Sequence, residues 1–335
     1  MFWLTPVILS FFYSADFNNG LYKIKTILPI IITPLIYFSL DNKYKIKIEK
    51  LVRIVFPLST LIFGLYILTK LCVYFYQPYI IQYGKPTILA YLKFVYEHRF
   101  GYLTNKDIIV FTAFFHKAYY SLAVLISILL LLKVKYKFFK IILFILLSSL
   151  LLLFNSMPHI FVYIIFVCTY LFLYLRKTKY LFFIIAGGLF FVYYFRFVFF
   201  KLLNSRIGIR EQISKCAYKQ FKESPLFGYG VGDVKNTLNT CFIDSNYLNG
   251  LNFNTHNQYL DVMLSSGLIG LIFFLSFFVL GFKKSFQNKS IELFLFLTLI
   301  AVTLLFENIF HRMWGVFMFS VFYSFFNFNS NLNQK

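Results

Sequence analysis

The sequence predicts an all-α, polytopic integral membrane protein of about ten transmembrane helices with one large extracytoplasmic loop, and three observations predict it. Of 335 residues, 60% are hydrophobic and 23% aromatic, only 13% carry charge, and the mean hydropathy is +0.73. These values lie outside the range of soluble domains. The apolar residues form continuous runs, long enough for the roughly 20 residues that a hydrocarbon core about 30 Å thick demands of a helix. Because the runs do not alternate, a β-barrel is excluded. Short basic segments follow every second run, the pattern of cytoplasmic loops.

In chain order the runs place spans near 1–15, 26–40, 54–76, 108–132, 138–154, 158–175, 180–200, 258–282, 291–306 and 310–327, each within about four residues. The stretch from Met1 to Tyr13 lacks a small-residue cleavage motif and reads as a true span rather than a signal peptide. KYKIKIEK, KVKYKFFK, RKTK and KKSFQNK follow the second, fourth, sixth and eighth spans. Positive-inside asymmetry therefore puts both termini in the cytoplasm and leaves residues 14–25, 77–107, 155–157 and 201–257 outside. The net charge of +21 and pI near 9.7 follow from this topology and from attraction to anionic membrane lipid, so nucleic acid is not an expected partner. No linker, soluble tail or repeat divides the chain. Residues 1–335 read as a single membrane domain containing the extracytoplasmic loop 201–257.

Cys72 and Cys168 lie in spans and behave as small apolar residues, while Cys216 and Cys241 share the outer loop. The loop pair is read as two thiols rather than a bridge. In the same loop, Ile209, Ile213, Ala217 and Phe221 recur every four residues, one face of a helix that should lie along the membrane surface. Arg206 and Arg210 share a side of that helix, four residues apart. Guanidinium forks in that position can grip a pyrophosphate, or they can snorkel to lipid head groups. The following PLFGYGVGD, with glycines at 228, 230 and 232, lacks the strand and Lys-Ser/Thr of a phosphate loop and reads as a structural turn. Asp233 and Asp244 are isolated carboxylates without spaced His or Cys partners, so neither a metal nor another cofactor is expected.

Thr255 followed by Gln258 reads as a capping box, which makes His256 the first residue of a helix entering the membrane from outside. The helix dipole and the nearby arginines disfavour imidazolium there, so His256 should be neutral near pH 7. It is then either a general base or a residue that merely caps the helix.

The ordered blocks SRIGIR, ESPLFGYGVGDV and HNQYLDVMLSSGLIGLIFFL closely resemble the O-antigen ligase and polymerase superfamily, and three blocks in order are more specific than any one. Weaker echoes stand near the start (SADFNNGLYKIKTILPIIITPLIYF), in FHKAYYSLAVLISI and in FENIFHR. The resemblance implies a metal-independent, inverting transferase of the bacterial cytoplasmic membrane, with its active site facing the periplasm or exterior. Its donor would be an undecaprenyl-pyrophosphate-linked glycan, and its acceptor a growing glycan (polymerase) or lipid A core (ligase).

Carried over, His256 is the catalytic base and Arg206 the pyrophosphate-binding arginine; Arg210 stands where many relatives have tryptophan. In the turn NSMPHI, Met157, Pro158 and His159 replace a Ser-Arg that relatives often carry, which leaves Arg99, Arg196 and Arg312 as candidates for a second phosphate ligand. His116 matches a histidine at the outer end of the equivalent span, a further candidate for substrate binding. A flippase or transporter is the rival, but it should carry charged or broken helices at mid-membrane, and these spans hold charge only near their ends.

Overall fold

The computed structural model describes residues 4–83, 87–95, 117–154, 156–175, 210–244 and 254–332. Among them every regular element is helical. They fall into two compact units, Asp41–Phe161, and Met1–Leu40 with Val162–Lys335. In chain order the helices are α1 (Thr5–Phe11), α2 (Phe17–Ile27), α3 (Pro29–Ser39), α4 (Asn42–Tyr83), α5 (88–95), α6 (Lys117–Leu131), α7 (Lys137–Phe154), α8 (Met157–Leu175), α9 (210–223), α10 (Val234–Asp244), α11 (Gln258–Gln287), α12 (Ile291–Thr303) and α13 (Met313–Leu332). A 3-10 turn, Ile309–His311, precedes α13.

Among the described residues, four stretches are long and apolar enough to cross a membrane: Phe17–Ser39, Asn42–Tyr76, Lys137–Phe154 and Gln258–Gln287. Shorter apolar helices occupy Lys117–Leu131, Pro158–Tyr170 and Ile291–Thr303. The expected spans 138–154 and 158–175 coincide with α7 and α8, while the expected span 180–200 lies outside the described residues.

Three expectations are corrected here. The first concerns the span at 1–15, where α1 covers seven residues, about 10 Å at 1.5 Å per residue and far short of the hydrocarbon core. A second concerns residues 14–25, which are not a loop. Asp16 caps α2 by accepting the Asn19 N–H, and α2 runs through Leu28, still in helical conformation, into α3, with Pro29 at the first position where it needs no donor. The third concerns KYKIKIEK, which is the first part of the 42-residue α4 and not a loop. Lysine is a good helix former, and Glu49 pairs with Arg53 one turn on at 2.9 Å, so nothing interrupts the helix where hydropathy falls.

In the unit Asp41–Phe161, α4 packs on α6 and α7. Arg53, buried, donates to the Leu130 carbonyl at 3.3 Å, and Ser127 donates to Thr60 Oγ1 at 3.1 Å. In the other unit, α13 packs on α3 and α12 packs against α11 and α13. Aromatic rings fill this core: Phe274 meets Tyr259, Phe278 and Phe310, and Phe319 meets Phe277, Phe296 and Phe310, all with centroids 5.0–6.2 Å apart. Such edge and offset contacts hold rings in one arrangement. Phe310 thereby anchors the 3-10 turn from below.

Candidate active site

Residues 210–244 form α9, a glycine-rich loop and α10. Ile213 and Ala217 are fully buried, packed with Cys216, Val234, Leu238, Cys241, Phe242 and Leu264. The apolar face of α9 is thus covered by α10 and the start of α11 rather than by lipid, a correction to the surface-lying helix expected from its spacing. Lys215, Lys219 and Lys222 stay on the exposed side. A disulfide joins Cys216 to Cys241, Cα atoms 5.8 Å apart, where the sequence reading favoured free thiols.

The glycine-rich segment has a definite mechanical role. α11 is broken at Ser266 (φ −135°) and Gly267 (φ +65°), which frees backbone groups on both sides of the break. The loop after α9 takes them up: Tyr229 and Gly230 donate N–H to the Leu264 and Ser265 carbonyls at 2.8 and 2.9 Å, and Leu268 donates to Pro225 at 2.8 Å. Irregular backbone in an apolar helix persists only where such partners exist. Glycine is required at both faces, since a Cβ on Gly267 would collide with the Leu226 carbonyl and one on Gly228 (φ +72°) with the Leu264 carbonyl. Burial, and after it the Glu223 carboxylate, push the Tyr229 phenol up to about 12, so its hydroxyl stays a donor toward the Gln220 carbonyl, 2.9 Å away. Asp233 accepts the N–H groups of Ala15 and Asp16 at 2.7 and 2.8 Å; it ties the α1–α2 turn to this loop.

This scaffold presents the start of α11. Its N-cap is Asn257, whose side chain accepts from Tyr259 and Leu260 N–H at 2.9 and 3.2 Å. The expected capping box of Thr255 and Gln258 is not formed, because Asn257 Oδ1 reaches the first-turn donors directly. Thr255 Oγ1 donates to the Asn257 carbonyl and accepts from Asn308. Gln258 accepts the Phe310 N–H at 3.1 Å.

His256 therefore stands two residues ahead of the helix rather than at its first position. Its φ is +46°, an uncommon left-handed conformation for a residue with a side chain, held by the Asn254 side chain accepting its N–H at 3.0 Å. Strained backbone of this kind clusters at functional sites. The imidazole Nδ1 is buried without a hydrogen-bond partner and lies 3.7 Å from Glu307 Oε2. Arg210 Nη2 lies 3.8 Å from the other oxygen of the same carboxylate. Glu307, from the segment between α12 and the 3-10 turn, thus stands between the predicted base and one predicted phosphate ligand.

Behind it lies a second polar pair, His311 Nε2 at 2.7 Å from Asp261 Oδ1. Lys23 lines the same small cavity, about 30 Å³ in volume. Arg312 is exposed immediately before α13. Arg206, His116, Arg99 and Arg196 lie outside the described residues.

The structure therefore joins His256 and Arg210 through a residue that the motif reading did not single out. Glu307 is the one acid in FENIFHR, the last of the weaker echoes, and its signal was a carboxylate at the mouth of an otherwise apolar span. Asp261 and His311 carried no signal of their own, because nothing in sequence links positions fifty residues apart.

Residues 108–275, half of the chain, match the family model described as O-antigen ligase. The matched range includes Arg210 and His256 and ends before Glu307 and His311. No curated protein matches the chain.

Proposed function

The chain belongs to the O-antigen ligase family, whose members are membrane glycan transferases, and from that premise we propose that it transfers a glycan from undecaprenyl pyrophosphate to a sugar hydroxyl. His256 is the general base, and the reaction takes place at the outer face of the bacterial cytoplasmic membrane. The single observation that carries this reading is the convergence of His256, Glu307 and Arg210 at the mouth of α11.

Glu307 faces Nδ1 and favours the tautomer with the proton there, so Nε2 keeps its lone pair for the acceptor hydroxyl, the logic of a carboxylate-oriented histidine. The acceptor oxygen attacks the anomeric carbon from the side opposite the leaving group. A new C–O bond forms as the bond to pyrophosphate breaks, the hydroxyl proton passes to His256, and undecaprenyl pyrophosphate departs with the electron pair. Configuration at the anomeric carbon inverts. Arg206 and Arg210 stabilise the charge that gathers on the departing phosphate, where a low-dielectric surrounding makes fixed cations most effective. The 3.7 Å separation of His256 and Glu307 exceeds a hydrogen bond, as is common before substrate tightens a site. The bond energy resides in the sugar-pyrophosphate lipid, so no nucleotide, metal or other cofactor enters the scheme.

Within the family we read the chain as a polymerase that adds repeat units, on the departure at Met157, Pro158 and His159. The second reading, transfer to lipid A core, is favoured by the description of the matched family. Disrupting the chain in its host and sizing the lipid-linked glycans that build up decides between them. Single repeats mark a polymerase, long chains mark a ligase, and an unchanged pool rejects both.

A further inference from the structure

We propose that Asp261 and His311 form a positioning pair that holds Glu307 against His256, an assignment that rests on His256 being the base. Four links tie residues 255–261 to residues 304–311, and they flank Glu307 on both sides. The Gln258 N–H donates to the Leu304 carbonyl at 2.9 Å, and Gln258 Oε1 accepts the Phe310 N–H at 3.1 Å. Asn308 Nδ2 donates to Thr255 Oγ1 at 2.7 Å and lies 3.3 Å from His311 Nε2. The fourth link is the His311–Asp261 contact at 2.7 Å, shortest of the set together with the Asn308–Thr255 bond. Gln258 Nε2, 3.4 Å from the second carboxylate oxygen, fixes the plane of Asp261.

Asp261 is 8% exposed, and burying a carboxylate beside an imidazole is no efficient way to stabilise a helix junction, since well-packed apolar side chains of equal volume serve as well or better. What the pair adds is direction. His311 ends the 3-10 turn and Asp261 sits in the first turn of α11, so the contact sets how the turn is rotated about the helix mouth. Glu307 lies four residues before His311 and moves with it. A displacement of about 1 Å of an orienting group is enough to cost on the order of 10²-fold in rate.

The test uses the purified full chain in vesicles, with the lipid-linked glycan that builds up in His256→Ala cells as donor. His311→Ala and Asp261→Ala are each expected to lower kcat by about 10²-fold with the donor KM unchanged within about twofold. The double variant should fall no further than either single one, and His311→Gln, which keeps a side-chain N–H donor, should recover a large part of the loss. Near-wild-type kcat in either alanine variant, a change confined to KM, or losses that multiply in the double variant overturn the proposal. Should the alanine variants fail to accumulate in membranes, His311→Leu and Asp261→Asn, which keep the volume and lose the contact, carry the same kcat and KM comparison, and the same outcomes overturn the proposal. A His256→Ala protein that still transfers glycan, or that builds up no donor, overturns the base assignment instead, whatever the pair does.

Discussion

The imidazole of His256 and the carboxylate of Glu307 face each other across 3.7 Å, and the far oxygen of that carboxylate faces Arg210 at 3.8 Å. In the proposed mechanism one acid thus serves a base and a phosphate-binding cation together. That mechanism ties proton removal from the acceptor to charge stabilisation on the donor, because displacing Glu307 disturbs both at once.

Replacing Glu307 with Gln removes the charge and keeps the volume. The variant should reach the membrane at normal level and transfer glycan on the order of 10²-fold more slowly, the scale of general-base assistance. Turnover of extracted lipid-linked donor measures it, and a rate within about twofold of wild type would leave Glu307 without a role.

The two arginines should differ. Arg206→Ala is expected to lower the rate by on the order of 10² to 10³, as for loss of one donor to a developing anion. Arg210, 38% exposed at its side chain and shared with Glu307, should cost about tenfold when changed to Ala, and Arg210→Lys should recover only part of that because a point charge does not reproduce the fork. Comparing donor turnover among the three variants checks the order.

Gly267→Ala should abolish stable accumulation of the protein. Positive φ costs a residue with a side chain about 1–3 kcal/mol, and here the methyl also meets the Leu226 carbonyl, so the loop that satisfies the helix break is displaced. Protein level in membranes and a thermal midpoint report the result; a normal level would show that the break tolerates a side chain.

Cys216→Ser should destabilise the α9–α10 segment by about 2–4 kcal/mol, the usual worth of a bridge closing a loop of this length. Cys241→Ser should do the same, and the double variant no more than either, since one bond is lost in every case. Additive losses would indicate two independent packing effects in the apolar cluster around α9 and α10.

How much of this was legible in sequence depends on distance along the chain. Spans such as Lys137–Phe154 follow from composition, because an unbroken aliphatic run has one way to satisfy its backbone in lipid. The proposed base was legible because His256 sits in a motif of neighbouring residues. Its setting was not: Thr255 and Asn257 both suit an N-cap, and only the geometry of Asn257 Oδ1 toward two N–H groups decides between them. The break at Ser266–Gly267 looks like any pair of small residues in an apolar helix until the loop some forty positions earlier is seen to fill it. Lysine-rich segments read as loops from hydropathy, yet lysine forms helix readily, so α4 begins at Asn42. Glu307 and the Asp261–His311 pair meet their partners across fifty residues, a separation at which spacing carries no information.

The most direct measurement is a surface-polysaccharide gel paired with extraction of lipid-linked intermediates from cells carrying His256→Ala, with the protein level in membranes verified. The account predicts that the surface glycan disappears while the lipid-linked donor builds up. Unchanged glycan and unchanged lipid pools from a normally accumulating variant would contradict it and leave His256 a strained turn residue ahead of α11.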